Sequence, residues 1–120
     1  MELPISPAVL AGDTLYIGGV APITADGTVL FTGDLHNQTI YVIKKLGDIL
    51  KYYNLDLSDL VFMNVYLKDI SHYCNFNDLY GSLMTKPYPP RKLVECKPSI
   101  DGITIELTAI ASKQKAKSEV

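Results

Sequence analysis

The chain has 120 residues, a length that suits one domain and leaves no room for a second. Hydrophobic residues make up 48% of it and charged residues 20%, and no apolar stretch reaches the roughly 18 residues of a membrane span, so we expect a soluble, cytoplasmic protein. The formal net charge of -2 argues against nucleic acid as the main partner, because binding to a phosphate backbone needs a basic surface.

The first elements along the chain are predicted to be two antiparallel strands. They cover residues 14–20 and 29–31, with Asp26-Gly27 between them. An Asp-Gly pair between apolar runs favours a tight turn, because glycine supplies the positive φ that the turn needs. Residues 14–31 should therefore form a hairpin.

A helix is indicated next by apolar residues three or four positions apart. It begins after Asp34, a suitable N-cap, and runs to about Tyr53. Its buried stripe is expected to comprise Ile40, Ile43, Leu46 and Leu50, with Lys44, Lys45, Asp48 and Lys51 on the far side. This helix should pack on a sheet.

A second helix should begin near Asp69 or Ser71. Phe76 and Tyr80 are among its apolar positions at helical spacing. It ends before the three prolines of residues 87–90, where the backbone lacks the amide hydrogens that a helix needs.

Three more strands are expected, at residues 60–67, 91–97 and 103–111. The first of them is apolar on both faces except at Asn64. In the last, every second residue from position 103 onward is apolar, which indicates one buried face.

The order β-β-α-β-α-β-β predicts an α+β sandwich in a single domain over residues 1–111, followed by a frayed, lysine-rich tail at 112–120. Two helices can cover only one face of such a sheet. Because several strands are apolar on both faces, we expect the bare face to meet other copies of the chain.

Arg91 is the only arginine beside ten lysines. Lysine serves wherever only a positive charge is needed, whereas the planar guanidinium with its five donors suits a carboxylate or phosphate. Pro89 and Pro90 restrict the backbone just before it. On these grounds alone, an anion-binding arginine and a structural salt bridge are equally supported.

Glu106 and Asn77 are weaker candidates. Glu106 is the only charge inside the last strand, and it could orient water, accept a proton, pair with Arg91 or lie exposed. Asn77, on the second helix, can donate and accept hydrogen bonds, although helices commonly carry such residues on solvated faces.

Metal, redox and phosphate sites have little support. Cys74 and Cys96 form no C-x-x-C motif and are interpreted as packing residues. His36 and His72 lack metal-ligand spacing, and no P-loop, dinucleotide or nucleophile-elbow motif occurs, so we expect no metal or cofactor. The first seven residues lack the basic and apolar blocks of a secretory signal or transit peptide.

Several motifs match one known pattern in order along the chain. The closest are Phe76-Asn-Asp-Leu-Tyr80, Pro89-Pro-Arg91 and Ile105-Glu-Leu-Thr-Ala-Ile-Ala111, with further likeness at residues 12–19, 38–39 and 59–69. Together they resemble the Rid (YjgF) family of reactive intermediate deaminases, which is also labelled endoribonuclease L-PSP. The resemblance covers nearly the whole chain, from about Pro4 to Ala111.

The resemblance implies a chorismate-mutase-like fold and a homotrimer with a ligand cleft at each subunit interface. It implies hydrolysis of 2-imino acids such as 2-iminobutanoate or 2-iminopropanoate, or of their enamines, to 2-keto acids and ammonia without a cofactor. By position, Arg91 resembles the arginine that binds the substrate carboxylate, and Glu106 the glutamate that positions the attacking water. Asn77, Gly18 and Gly19 would line the cleft and bind substrate.

The chain departs from the family pattern at three positions. Ala8 stands in place of a tyrosine, Gly18 in place of a serine and Val20 in place of a glutamine. These changes remove polar groups that would orient a substrate. One alternative is therefore a non-catalytic trimer that binds a small carboxylate, as a sensor or scaffold. A second is an endoribonuclease or translation inhibitor, which the acidic charge balance opposes.

Overall fold

The computed structural model describes residues 4–114 of the chain. The strands and helices in this range are β1 (Ala8–Ala11), β2 (Thr14–Val20), α1 (Leu35–Tyr52), β3 (Leu60–Leu67), α2 (Tyr73–Leu83), β4 (Arg91–Glu95) and β5 (Ile105–Ser112). Two short 3-10 turns, Leu57–Asp59 and Ile70–His72, lead into β3 and α2. Neither helix of this range is long and apolar enough to cross a membrane.

The five strands form one mixed sheet in the order β1-β2-β5-β3-β4. β3 and β4 run parallel, with α2 in the connection between them, and the other neighbouring pairs are antiparallel. This arrangement confirms the predicted α+β fold class.

The two faces of the sheet differ in what covers them. On the helix side, alternate residues of the central strands are buried with the apolar stripe of α1, among them Met63, Val65, Leu107 and Ala109. The opposite side, which we call the open face, carries Tyr16, Tyr66, Glu106, Thr108 and Ile110, all of them at least partly exposed. The prediction that the helices cover one side of the sheet is therefore confirmed.

The prediction that residues 29–31 pair with β2 is wrong. β1 takes that place, and Gly12, with a φ of 61°, turns the chain between the two strands. The Asp26-Gly27 turn does form, but only one isolated bridge follows from it. Beyond the bridge, Phe31 has a φ of 50°, and the carbonyls of residues 30 and 31 accept hydrogen bonds from Gln38, so the segment does not continue as a strand.

α1 begins after Asp34, as predicted, and the carboxylate of this residue accepts a hydrogen bond from the N–H of Asn37 at 3.1 Å. The buried stripe includes Val42, whereas Ile40 is 38% exposed, so the placement of Ile40 in the core is wrong. Each helical residue turns by about 100°, which leaves Ile40 at the margin of the stripe. Lys45 was expected on the far side but is half-buried, and its ammonium donates to two carbonyls of the loop after β2.

Gln38 joins α1 to the loop before it and to the entry of β5. Its side chain is fully buried, and Nε2 lies 3.0 Å from the carbonyl oxygen of Leu30, 3.1 Å from that of Phe31 and 2.8 Å from that of Gly102. Its Oε1 accepts hydrogen bonds from the N–H of Thr104 at 2.7 Å and from the hydroxyl of the same residue at 2.6 Å. One side chain thus satisfies buried polar groups from two distant segments.

The predicted ends of the later elements need small corrections. Asp69 caps the 3-10 turn rather than α2, which starts at Tyr73. β4 ends at Glu95 instead of residue 97, and β5 extends to Ser112, where the tail was expected to begin. Residues 115–120 of that tail lie outside the described range.

Candidate functional site

Arg91 is the first residue of β4, at one edge of the sheet. In the parallel ladder it is paired with Met63, which is fully buried on the helix side. The carbonyl of Pro90 accepts a hydrogen bond from the N–H of Met63 at 2.9 Å, so the register is set directly before the arginine. Because paired residues share a face, the side chain of Arg91 points toward α2.

The guanidinium of Arg91 lies on two aromatic rings of α2. Its central carbon is 4.9 Å from the ring centroid of Tyr80 and 5.8 Å from that of Phe76. The ion pairs within residues 4–114 are Lys44–Asp48 and His72–Asp69, so no carboxylate there pairs with Arg91. The alternative of a structural salt bridge is therefore wrong for the described residues, among which the guanidinium keeps its donors for another acceptor.

Asn77 lies on α2 between the two residues that hold the arginine. It follows Phe76 directly and precedes Tyr80 by three positions, so it shares a helical turn with both. Its side chain is partly buried. We call Asn77, Tyr80 and Arg91 the cationic half-site.

Glu106 lies on the open face as the second residue of β5, opposite Tyr66 of β3. Burial raises the pKa of its carboxyl above the ordinary value, because the charged form is partly removed from water. A carboxylate with a raised pKa is a better proton acceptor near neutral pH. The position thus agrees with either of the roles considered for it, orienting water or accepting a proton.

Gly18 and Gly19 lie in β2 beside this carboxylate. The ladder between β2 and β5 is irregular between Ile17 and Val20, so the two glycines form a bulge. A Cβ on Gly19 would lie 4.0 Å from Oε2 of Glu106. We call Gly18, Gly19 and Glu106 the acidic half-site.

A small cleft of about 290 Å³ opens next to Glu106 on the same face. Tyr66, Cys96, Lys97 and Thr108 are among the residues that line it. The amide of Asn64 donates a hydrogen bond to the hydroxyl of Thr108 at 2.9 Å.

Both cysteines are exposed, so the interpretation of Cys74 and Cys96 as interior packing residues is wrong.

The two half-sites lie on opposite faces of the sheet. Arg91 is paired with Met63 and Glu106 with Tyr66, and these two residues of β3 are three positions apart. Since side chains alternate along a strand, an odd separation places them on opposite sides. A single chain therefore does not bring Arg91 and Glu106 together, and the possibility that they form an ion pair within it is excluded.

Residues 2–113 match a family model described as endoribonuclease L-PSP. The chain belongs to that family. It is 32% identical over 111 residues to a RutC family protein of Pyrococcus horikoshii, covering 92% of this chain and 88% of the relative. A RutC family protein of Saccharolobus solfataricus is 34% identical over 110 residues, with 92% and 87% covered.

Solved structures of the same family share the fold. RidA from a Psychrobacter species of Antarctic origin superimposes with a TM-score of 0.82 at 25% identity, covering 91% of this chain and 88% of that one. A protein of Thermotoga maritima described as a putative endoribonuclease gives 0.83 at 26%, covering 93% and 88%. The predicted likeness to the Rid, or YjgF, family is confirmed.

The departures from the Rid pattern fall in three different environments. Val20 is 1% exposed and faces the core, so it does not line the open face. Ala8 lies on the edge strand β1, opposite Ile17. Gly18, by contrast, is exposed and lies in the bulge of the acidic half-site. Of the three, only Gly18 belongs to that half-site of this Rid family member, and its neighbour Gly19 is the glycine that approaches Glu106.

A second cleft, of about 900 Å³, lies between the starts of α1 and α2. His36, His72, Asp34 and Asp78 are among its lining residues, whereas the candidate site residues are not. The described residues contain no group of three side chains arranged to hold a metal ion.

Sequence reasoning missed the role of Phe76 and Tyr80. Helical spacing predicts both as apolar positions of the second helix, and both are buried. Their contact with Arg91 depends on how α2 lies against β4, and the separation of the two residues along α2 carries no information about it. Tyr80 lies on a helix and Arg91 on the following strand, so neither helical nor strand periodicity relates the two positions.

Proposed function

We propose that the protein hydrolyses 2-imino acids and their enamines to 2-keto acids and ammonia. The observation that carries the proposal is the state of Arg91, whose guanidinium lies on aromatic rings without a carboxylate partner among residues 4–114. A planar fork of this kind binds a carboxylate through two parallel hydrogen bonds. It would fix the substrate with its electrophilic carbon next to the anchored carboxylate.

Little further machinery is needed for this reaction. Water adds to the imine carbon, giving a carbinolamine, and this intermediate expels ammonia as the C=O bond forms. Glu106 would orient the water and take up its proton, for which the raised pKa of its carboxyl is favourable. The rate gain would come mainly from holding water and imine at the correct distance and angle.

The proposal requires at least two copies of the chain. Since Arg91 and Glu106 lie on opposite faces, one copy would supply the cationic half-site and a neighbour the acidic half-site. The open face supports such contact, because it carries aromatic and aliphatic side chains such as Tyr16 and Ile110 without a layer of helices over them. We propose a homotrimer that places these faces inward.

The test is hydrolysis of 2-iminobutanoate, generated in place by threonine dehydratase and trapped with semicarbazide. Wild type is expected to lower the yield of trapped imine, and Arg91→Ala should lose this effect almost entirely. Lys44→Ala serves as a charge-matched control, because Lys44 is exposed on α1 and belongs to neither half-site. Folding and mass in solution are checked for each variant. Equal activity of wild type and Arg91→Ala would refute the proposal.

Gly18 favours one further candidate, a carboxylate-binding protein without catalysis. A glycine at this position of the bulge supplies no hydroxyl to orient the imine. In that case calorimetry would detect Arg91-dependent binding of 2-oxobutanoate while imine decay stays at the rate without protein. The family description also names an endoribonuclease, and salt-dependent RNA binding would be the result in its favour.

A further inference from the structure

The aromatic rings next to Arg91 belong to the rigid part of the molecule. Phe76 is 2% exposed and Tyr80 is 5% exposed, and both are members of the hydrophobic core. Their ring centroids are 5.5 Å apart with the planes tilted by 40°. Core packing therefore fixes the surface on which the guanidinium lies.

A free arginine side chain has many rotamers, and ordering it on binding a ligand costs free energy. A cation on an aromatic face loses part of that freedom before the ligand arrives. In this chain, the Tyr80 ring is nearer to the guanidinium carbon than the Phe76 ring, at 4.9 Å against 5.8 Å. The nearer ring should contribute most of the ordering.

We propose that Tyr80 is a positioning residue, whose ring holds the guanidinium of Arg91 in the orientation that binds a carboxylate. The ligand class rests on the proposed function, but the contact between ring and guanidinium does not. Arginine is required for this arrangement, because a lysine ammonium has no plane to lie against the ring.

The hydroxyl of Tyr80 allows an effect of the aromatic ring to be distinguished from an effect of the hydroxyl itself. It is buried without a hydrogen-bond partner among the described residues. Burial raises the pKa of the phenol, so at neutral pH the ring is uncharged and does not hold Arg91 as a counter-ion. Removing only the hydroxyl should therefore leave the positioning intact, which makes Tyr80→Phe the matched control for Tyr80→Leu.

The first measurement uses the fact that Arg91 is the only arginine. Its Nε–H group gives a single cross-peak of arginine type in a proton–nitrogen correlation spectrum of the whole protein at pH 6. In wild type and Tyr80→Phe the proton should be shifted upfield by the ring current, and in Tyr80→Leu it should move toward the position of free arginine. A wild-type peak at the free position would overturn the proposal, and no ligand is needed to see it.

The second measurement is the affinity for 2-oxobutanoate, a stable carboxylate probe. A cation–π contact of the usual strength predicts a loss of roughly three- to thirtyfold in Tyr80→Leu and less than twofold in Tyr80→Phe. In an Arg91→Lys background the leucine substitution should have no further effect, since the group that the ring positions is gone.

The outcomes separate this inference from the proposed function. Binding that depends on Tyr80 without any imine hydrolysis would leave the positioning role standing and refute only the catalytic one. Wild-type affinity in Tyr80→Leu together with an unmoved Arg91 peak would refute the positioning role. An equal loss in Tyr80→Phe and Tyr80→Leu would assign the effect to the hydroxyl and also refute it.

Discussion

Replacing Gln38 by leucine should destabilise the fold strongly, although the two side chains are similar in size. The Gln38 side chain is fully buried and is the partner of five backbone or hydroxyl groups. Two of them keep another partner in the variant, since the carbonyl of Phe31 also accepts from Asp34 and that of Gly102 from Gly33.

Three groups then remain without a partner: the carbonyl of Leu30, and the N–H and hydroxyl of Thr104. At roughly 1–3 kcal/mol for each buried group, the loss is about 3–9 kcal/mol, which is a large part of the 5–15 kcal/mol that stabilises a typical domain. Thr39→Val is the matched control. It removes one buried hydrogen bond, from the hydroxyl to the carbonyl of Leu35, and should cost about 1 kcal/mol.

The assay is urea unfolding followed by circular dichroism, at one protein concentration so that any self-association affects all variants alike. Gln38→Leu should unfold at a much lower urea midpoint than Thr39→Val. A midpoint equal to that of the control would show that water replaces the lost hydrogen bonds, and the reasoning from buried groups would be refuted.

Two further predictions concern charge and backbone. Because the pKa of Glu106 is raised in the folded chain, its contribution to stability is present at low pH and is lost as pH rises through the folded pKa, so Glu106→Gln should gain more in Tm over wild type at pH 8 than at pH 5. A Tm difference independent of pH would contradict this. Gly102→Ala should be destabilising by about 1–3 kcal/mol, since φ is +92° and the new Cβ would lie 2.8 Å from the methyl group of Thr32. Gly27→Ala, with φ of +88° but no neighbour within 4 Å, should lose clearly less in the same thermal scan, and equal losses would refute the role of the contact.

The elements with strong periodicity could be predicted from the sequence. α1 follows from its N-cap and apolar stripe, and β5 from its alternation, which the burial of every second residue confirms. β1 could not be predicted, because it has four residues on the edge of the sheet and only partial burial. The competing signal of Asp26-Gly27 was real as a turn, but the buried amide of Gln38 ends the pairing beyond it.

For the candidate site, composition made Arg91 a candidate but supported an anion-binding role and a structural salt bridge equally. Its surroundings could not be obtained in the same way, because the contact with Tyr80 joins a strand and a helix. The placement of Arg91 and Glu106 on opposite faces depended on the register of β4 and β5 against β3. A shift of one residue in either ladder would have reversed it.

The placement of the two half-sites on opposite faces also means that one folded chain does not contain a complete site. Under the proposed function each cleft is shared, so every chain would contribute its arginine to one cleft and its glutamate to another. A chain damaged at both positions would then disable two clefts within its assembly, one on each side. Dilution that separates the chains would abolish catalysis even while each of them stayed folded, and the boundary between neighbours, rather than the folded chain, would be the enzyme.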